Sequence, residues 1–108
     1  MRVIAPERRG YGKTRPPERD YPDDFYQRDA DDMAAIMDAL DLPAATVLGW
    51  SEGADVALCL GANHADKVSR LVVGGGLAAV ADEDIAIFEA RRDVANWPRK
   101  VATYIWRR

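Results

Sequence analysis

Hydrophobic residues follow a helical pattern through the middle of the chain. From about Phe25, apolar residues recur at steps of three and four with acidic residues between them, which predicts an amphipathic helix closed by Leu42-Pro43. Its apolar positions are Ala30, Met33, Ala34, Met37 and Leu40, and the polar positions between them include Asp29, Asp31, Asp32 and Asp38.

Short apolar runs at 2–5, 46–50 and 68–73 lack helical spacing and predict strands. The second run does not alternate between apolar and polar residues, as expected when helices cover both faces of a sheet. A helix rich in small and apolar residues is predicted after residue 50, ending at Gly61 or Asn63. A later helix is predicted over 82–93, with Asp82 as its N-cap.

The order strand, helix, strand, helix, strand predicts two right-handed crossovers and an α/β fold. We therefore expect a three-strand parallel sheet with flanking helices in residues 1–78, and a separate helical segment in residues 79–108. The Gly74-Gly75-Gly76 run lacks the spacing and the strand-to-helix context of a nucleotide-binding loop, and neither a cofactor nor a metal is expected.

Composition narrows the class of protein. The 108 residues are 48% hydrophobic and 31% charged, with a net charge of −3 spread over both signs, which is typical of a globular domain and gives no basic footprint for nucleic acid. The single cysteine, Cys59, allows no internal disulfide and is expected to be buried and inert. No apolar run is long enough to span a membrane, so a cytoplasmic protein is the default expectation.

The stretch VLGWSEGAD contains the pattern G-x-S-x-G directly after a predicted strand and before a predicted helix. At such a turn, Gly49 and Gly53 would allow close backbone approach while Ser51 projects its hydroxyl as a nucleophile. The N–H of Glu52 would then lie at a helix N-terminus, where it can act as an oxyanion-hole donor. The simpler alternative is that Ser51 is only a helix N-cap.

Several motifs together resemble the α/β-hydrolase fold family. RVIAPERRGYGKTRPP is similar to the family's R-V-I-A-x-D-x-R-G-x-G-x-S segment, VLGWSEG to its nucleophile turn, and ANHADKVSRLVVGG to the helix end and strand that follow. GYGKTRPP, LGWSEG and the DED…RDV-x-x-W segment resemble the biphenyl hydrolase-like, valacyclovir hydrolase-type serine hydrolases. Glu7, Thr14 and Glu52-Gly53-Ala54 depart from the residues that are common there.

This resemblance implies hydrolysis of small esters or related acyl substrates, with Ser51 as nucleophile. Glu52 and Trp50 would contact the substrate, and an unneutralised Glu52 carboxylate would favour cationic groups such as the amine of an aminoacyl ester. The alternative for Glu52 is a solvated acid in the first turn of a helix, favoured by the helix dipole. Trp50 also has a simpler interpretation, packing beneath the turn. Residues 79–108 would begin a lid.

The chain lacks visible partners for Ser51. His64, its only histidine, would lie on the order of 18 Å away if one helix separates the two residues, whereas proton transfer needs about 3 Å. The family places its acid and histidine on later strands and its second oxyanion donor before Arg2. Asp82, Glu83 and Asp84 fit a helix cap and first turn better than a triad acid.

Two further expectations follow from the missing partners. The alternative to a hydrolase is a non-catalytic truncated fragment or an interaction module that keeps the fold. In the family's strand order, a strand not encoded here would lie between residues 2–5 and 46–50, so we expect at least one bare strand edge, which a second chain could fill.

Overall fold

The computed structural model describes residues 1–77, 79–90 and 92. The chain divides into two compact units, Met1–Leu77 and Ala78–Arg108, and each is described by itself. The elements of the first unit are helix α1 (Phe25–Ala39), strand β1 (Ala45–Trp50), helix α2 (Glu52–Asn63), a short 3-10 helix (Ala65–Lys67) and strand β2 (Val68–Gly74). The second unit contains helix α3 (Asp82–Ala90).

Strands β1 and β2 form a parallel pair in which Val47 lies opposite Leu71 and Trp50 lies opposite Gly74. Helix α2 joins the end of β1 to the start of β2, because parallel neighbours can be connected only by a crossover. This strand–helix–strand unit positions the turn after Trp50, where the candidate nucleophile lies.

Helix α1 packs on α2, and α2 packs on both strands. The core cluster consists of buried small and apolar side chains from the two helices: Ala30, Ala34, Met37, Val56 and Leu60. The apolar spacing of α1 is therefore confirmed as the side of the helix that faces the core, and the predicted extent of α2 is confirmed as well.

The strand predicted over residues 2–5 is wrong. This segment forms no regular element and pairs with no strand, and the described residues form a two-stranded sheet instead of the expected three. Val3 is 77% exposed. An apolar run becomes a strand only when a neighbour accepts its backbone hydrogen bonds, and β1 and β2 pair only with each other among the described residues. The expected bare strand edge is confirmed within that part of the chain.

The expectation that helices cover both faces of the sheet is also wrong for the described residues of the first unit. Leu48 and its partner Val72 project from the same face, and they are 75% and 52% exposed. The helices α1 and α2 therefore supply one covering layer, and the other face of the two-stranded sheet presents apolar side chains.

Helix α3 begins at Asp82 itself, one residue earlier than a cap at Asp82 predicts. Asp82 is the first helical residue, and the Asp84 carboxylate accepts a hydrogen bond of 3.0 Å from the N–H of Ala81. This contact satisfies one of the donors that a helix N-terminus leaves free. The predicted end of this helix at residue 93, and the part of the predicted lid (residues 79–108) that follows Arg92, lie outside the described residues. None of the described helices combines the length and the apolar character needed to cross a bilayer.

Candidate active site

Ser51 occupies the sharp turn between β1 and α2. Its backbone has φ +55° and ψ −129°, a positive φ that non-glycine residues rarely adopt. Its N–H donates to the carbonyl of Gly74 at 2.9 Å, and its own carbonyl accepts from the N–H of Ala54 at 2.8 Å. The strained turn is thus fixed on both sides, by β2 and by the first turn of α2, and the Ser51 side chain is exposed.

The two glycines of the G-x-S-x-G motif differ in whether a side chain would fit at their position. A Cβ on Gly49 would collide with the backbone carbonyl of Gly53, so the absence of a side chain at Gly49 is what lets strand and helix approach each other. A Cβ on Gly53 would meet nothing within 4 Å. The steric role expected for Gly53 is therefore wrong, and the requirement lies at Gly49.

The N–H of Glu52 lies at the N-terminus of α2, directly after Ser51. Glu52 is the first residue of α2, and helix geometry leaves the first N–H groups without an intrahelical acceptor. The helix dipole adds partial positive charge at the same end. Ser51 and this donor are adjacent in the chain, which suits one donor of a site that stabilises negative charge developing on a substrate carbonyl oxygen.

The Glu52 side chain is neutralised by an arginine. Its Oε2 accepts a hydrogen bond of 2.6 Å from Nη2 of Arg8, whereas the sequence argument treated this carboxylate as free. Burial lowers the pKa of Arg8, but the hydrogen bond to Glu52 and the charges of Glu52 and Asp29 outweigh that effect and raise it above its ordinary value. Arg8 is therefore cationic at neutral pH.

A fully buried carboxylate anchors this arginine. Asp29 of α1 is 0% exposed, and it accepts two hydrogen bonds of 2.8 Å from Arg19 and one of 3.2 Å from Arg8. The hydrogen bonds to Asp29 raise the pKa of Arg19. Asp29, Arg8 and Glu52 form a continuous chain of charged contacts from the core side of α1 to the first residue of α2, which ties the nucleophile turn to the loop before α1.

Trp50 does not pack in the core. Its side chain is 74% exposed, and its ring lies against the backbone of Gly74, where an added Cβ would be 2.8 Å from Cε3 of the indole. The expectation of a buried Trp50 beneath the turn is therefore wrong. The ring lies beside the turn, on the surface, next to the backbone group that accepts the Ser51 hydrogen bond.

His64 lies at the opposite end of α2 from Ser51. It is the C-cap of that helix, and its Nε2 lies 2.7 Å from Oδ1 of Asp31. Hydrogen bonds from His64 and Gln27 lower the pKa of Asp31. The twelve residues of α2 between Ser51 and His64 span about 18 Å at ~1.5 Å per residue, so His64 cannot reach the hydroxyl. The acidic trio Asp82, Glu83 and Asp84 forms the first turn of α3.

Cys59 is partly buried and packs against the core cluster, and burial raises the pKa of its thiol. A raised pKa keeps the thiol protonated, so it is a poor nucleophile. Within the described ranges, no group of three or more His, Cys, Asp and Glu side chains is arranged to hold a metal ion.

Sequence reasoning missed Arg8 and Asp29. One signal was present for Asp29: it precedes Met33 by four residues, a spacing that places it on the core-facing side of α1. Nothing comparable marked Arg8, because its contact with Glu52 joins residues that are 44 positions apart. The neighbouring Arg9 binds Asp32 through two hydrogen bonds of 2.9 and 2.7 Å.

Comparison with known proteins agrees with this geometry. Residues 1–105 match the family model described as the alpha/beta hydrolase fold. The chain belongs to the α/β-hydrolase fold family. The two parallel strands, the crossover helix and the strained serine of this α/β-hydrolase are the features that its sequence motifs indicated.

The relatives of this α/β-hydrolase-fold chain are named as hydrolases and as a dehalogenase. It is 43% identical over 98 residues to the human serine hydrolase BPHL, covering 91% of the chain and 34% of that protein. It is 38% identical over 76 residues to the 2-hydroxymuconate semialdehyde hydrolase of Pseudomonas sp. strain CF600, covering 68% and 25% of the two chains. A haloalkane dehalogenase of Psychrobacter cryohalolentis is 33% identical over 86 residues, covering 78% and 27%. The chain thus spans about a third or less of these relatives.

Proposed function

We propose that these residues form the nucleophile half of a serine hydrolase that acts on small esters or related acyl substrates. The observation that supports this proposal most directly is the backbone conformation of Ser51, which has φ +55° at the turn between β1 and α2 and leaves the side chain exposed. A plain N-cap serine has no need of that conformation, since its φ normally lies in the extended region. The kinship with a serine hydrolase supports the assignment.

In this proposal the Ser51 hydroxyl attacks the substrate carbonyl carbon, and the N–H of Glu52 donates to the oxygen that becomes negatively charged. A general base must take the hydroxyl proton, and a second oxyanion donor is also required. Neither His64 nor the acids of α3 suit those roles. The base, the acid that orients it and the second donor would come from chain outside residues 1–108 or from a second chain.

Trp50 and Glu52 flank the nucleophile in sequence and would contact the substrate. The exposed indole offers a flat apolar surface for the acyl or leaving group. Aminoacyl esters are the candidate substrates if the Glu52 carboxylate is free to bind an amine. Because Arg8 binds that carboxylate, neutral esters are the first substrates to test.

The experiment supplies the missing groups. In a chimera, this chain replaces the matching segment of the human serine hydrolase BPHL, and the remainder of that protein completes the enzyme. We expect the chimera to hydrolyse p-nitrophenyl acetate and Ser51→Ala to abolish turnover. An active chimera that keeps its rate after Ser51→Ala would refute the assignment of the nucleophile.

An interaction module is the second candidate function, and one observation favours it. The described sheet has two strands and therefore open edges, and Leu48 and Val72 expose an apolar face beside them. A second chain that adds a strand would cover such an edge. Light scattering tests association of the chain, and the absence of Ser51 labelling by a fluorophosphonate in the chimera, where a base is present, would favour this function over hydrolysis.

A further inference from the structure

Arg8 lies between a buried acid and the acid beside the nucleophile. Its Nη1 donates to Asp29 at 3.2 Å, and its Nη2 donates to Glu52 at 2.6 Å. The side chain is 22% exposed, whereas that of Glu52 is 40% exposed. Arg8 therefore reaches the Glu52 carboxylate from its protein side, and the carboxylate keeps an open side toward solvent.

Contacts within the loop hold Arg8 in that position. Its carbonyl accepts a hydrogen bond of 2.6 Å from the Thr14 hydroxyl, which fixes the backbone. Asp29 is fully buried and is itself held by Arg19 through two hydrogen bonds. The four charged groups, two arginines and two carboxylates, sum to zero. A cation already bound in this way loses little side-chain freedom when it pairs with Glu52, which makes the pair more effective than one between mobile surface chains.

We propose that Arg8 is a specificity-determining residue, because its guanidinium occupies the carboxylate beside the nucleophile and removes the preference for cationic substrates that a free Glu52 would give. This inference rests on the proposed role of Ser51. Its physical basis is competition for one anion: a substrate ammonium group gains little from a carboxylate whose charge is already balanced by a fixed arginine.

The adjacent arginine provides a matched control. Arg9 binds Asp32 on α1 and makes no hydrogen bond to Glu52. Replacing Arg9 with Gln removes one positive charge from the same loop but leaves the ion pair between Arg8 and Glu52 intact. An effect found with Arg8→Gln but not with Arg9→Gln therefore reports the local ion pair and not the net charge of the protein.

The test uses the chimera with human BPHL as the parent chain, because it supplies the missing base, and two fluorophosphonate probes of equal length, one ending in a neutral alkyl group and one in a trimethylammonium group. In the labelling step, the Ser51 oxygen bonds to phosphorus, fluoride leaves and the hydroxyl proton passes to the general base that the remainder of the chimera supplies. Peptide mass spectrometry gives the rate constant at Ser51 for each probe, with Ser51→Ala as the background. The ratio of the two rate constants cancels any change in the intrinsic reactivity of the hydroxyl.

We expect a cationic-to-neutral ratio near one in the parent chain. Arg8→Gln should raise the ratio by about fivefold, which corresponds to about 1 kcal/mol and is the upper end for a partly exposed ion pair. Arg8→Lys should keep the ratio near one, Arg9→Gln should not change it, and adding Glu52→Gln to Arg8→Gln should return it to the parent value. Raising the salt concentration should shrink the Arg8→Gln effect. Circular dichroism confirms that each variant keeps its helices.

The outcomes separate the two proposals. If Ser51 is labelled and the ratio is the same in the parent and in Arg8→Gln, the inference about Arg8 is wrong while the nucleophile assignment stands. A rise in the ratio that survives Glu52→Gln would likewise overturn the inference, because the carboxylate would not be its source. If neither probe labels Ser51 above the Ser51→Ala background, the proposed function fails, and the inference about Arg8 fails with it.

Discussion

Replacing Asp29 with Asn should destabilise the protein more than any other single loss of charge among the described ion pairs. Asp29 is fully buried and receives two hydrogen bonds of 2.8 Å from Arg19, whose side chain is only 8% exposed. Asn has nearly the same shape but no charge, and its NH2 group is a donor that cannot replace the second carboxylate oxygen as an acceptor for Arg19. The substitution therefore leaves a guanidinium buried without a counter-charge.

The size of the destabilisation by Asp29→Asn depends on the contacts that Arg8 and Arg19 keep. Breaking a buried ion pair by removing one partner costs about 3–5 kcal/mol. Arg8 keeps its bond to Glu52, and the aromatic rings of Tyr11 and Tyr21 lie 5.2 and 4.9 Å from the Arg19 guanidinium and continue to attract it. We therefore expect a loss of about 3 kcal/mol in the free energy of unfolding, a large share of the ~5–15 kcal/mol that holds an ordinary domain together.

The assay is urea unfolding monitored by circular dichroism, with sucrose at one fixed concentration to stabilise the folded state of all variants equally. The matched control is Asp32→Asn on the same helix, whose partner Arg9 is 41% exposed, so its cost should stay within about 1 kcal/mol. Replacing both members of the buried pair, as Arg19→Met with Asp29→Leu, should be less damaging than Asp29→Asn. A loss below about 1 kcal/mol for Asp29→Asn, or equal losses at Asp29 and Asp32, would refute the reasoning.

Four other outcomes are expected. Gly49→Ala should lower the free energy of unfolding by about 1–3 kcal/mol because its Cβ meets the Gly53 carbonyl, whereas Gly53→Ala should be neutral or stabilise the protein by about 0.4–1 kcal/mol. Chemical denaturation of both variants measures these changes, and equal losses of stability would contradict the prediction. The isolated chain should hydrolyse p-nitrophenyl acetate at little more than the solvent rate, and an esterase-like rate abolished by Ser51→Ala would show that a base is within reach. The pKa of Asp31 is lowered in the folded state, so its contact with His64 should stabilise the protein above the ordinary pKa of an aspartate, and this stabilisation should be lost as the pH falls through the lowered pKa. The free energy of unfolding, measured between neutral and acid pH, should therefore depend less on acid in His64→Ala than in the parent. An unchanged pH profile would count against the contact. With an apolar sheet face exposed, the chain should aggregate readily or melt without a sharp transition, and a cooperative monomer melt above roughly 60 °C would contradict this.

Local patterns predicted the parts of the fold that depend on near neighbours. The three- and four-residue spacing of Ala30, Ala34 and Met37 identified the core-facing side of α1, because a helix repeats its contacts every turn. The glycine-flanked serine after an apolar strand predicted the nucleophile turn, since only a few residue types allow so tight a bend. These features need no knowledge of distant residues.

The features that sequence could not supply depend on partners far along the chain. Residues 2–5 have the composition of a strand, but composition does not say whether a neighbour is present to pair with them. Asp29 looked like one more solvated acid of α1 until Arg8 and Arg19 were seen to converge on it. The neutralisation of Glu52 by Arg8 joins two segments whose proximity only the fold determines.

The backbone of Ser51 also has an evolutionary consequence. A serine at φ +55° and ψ −129° costs on the order of 1–3 kcal/mol that glycine, with no Cβ, would largely avoid. Mutation to glycine would therefore be favoured in any lineage that no longer used the hydroxyl, since it would recover stability at once. Natural variants that keep serine here would be under selection for its chemistry, and variants with glycine would mark descendants in which that selection has been lost.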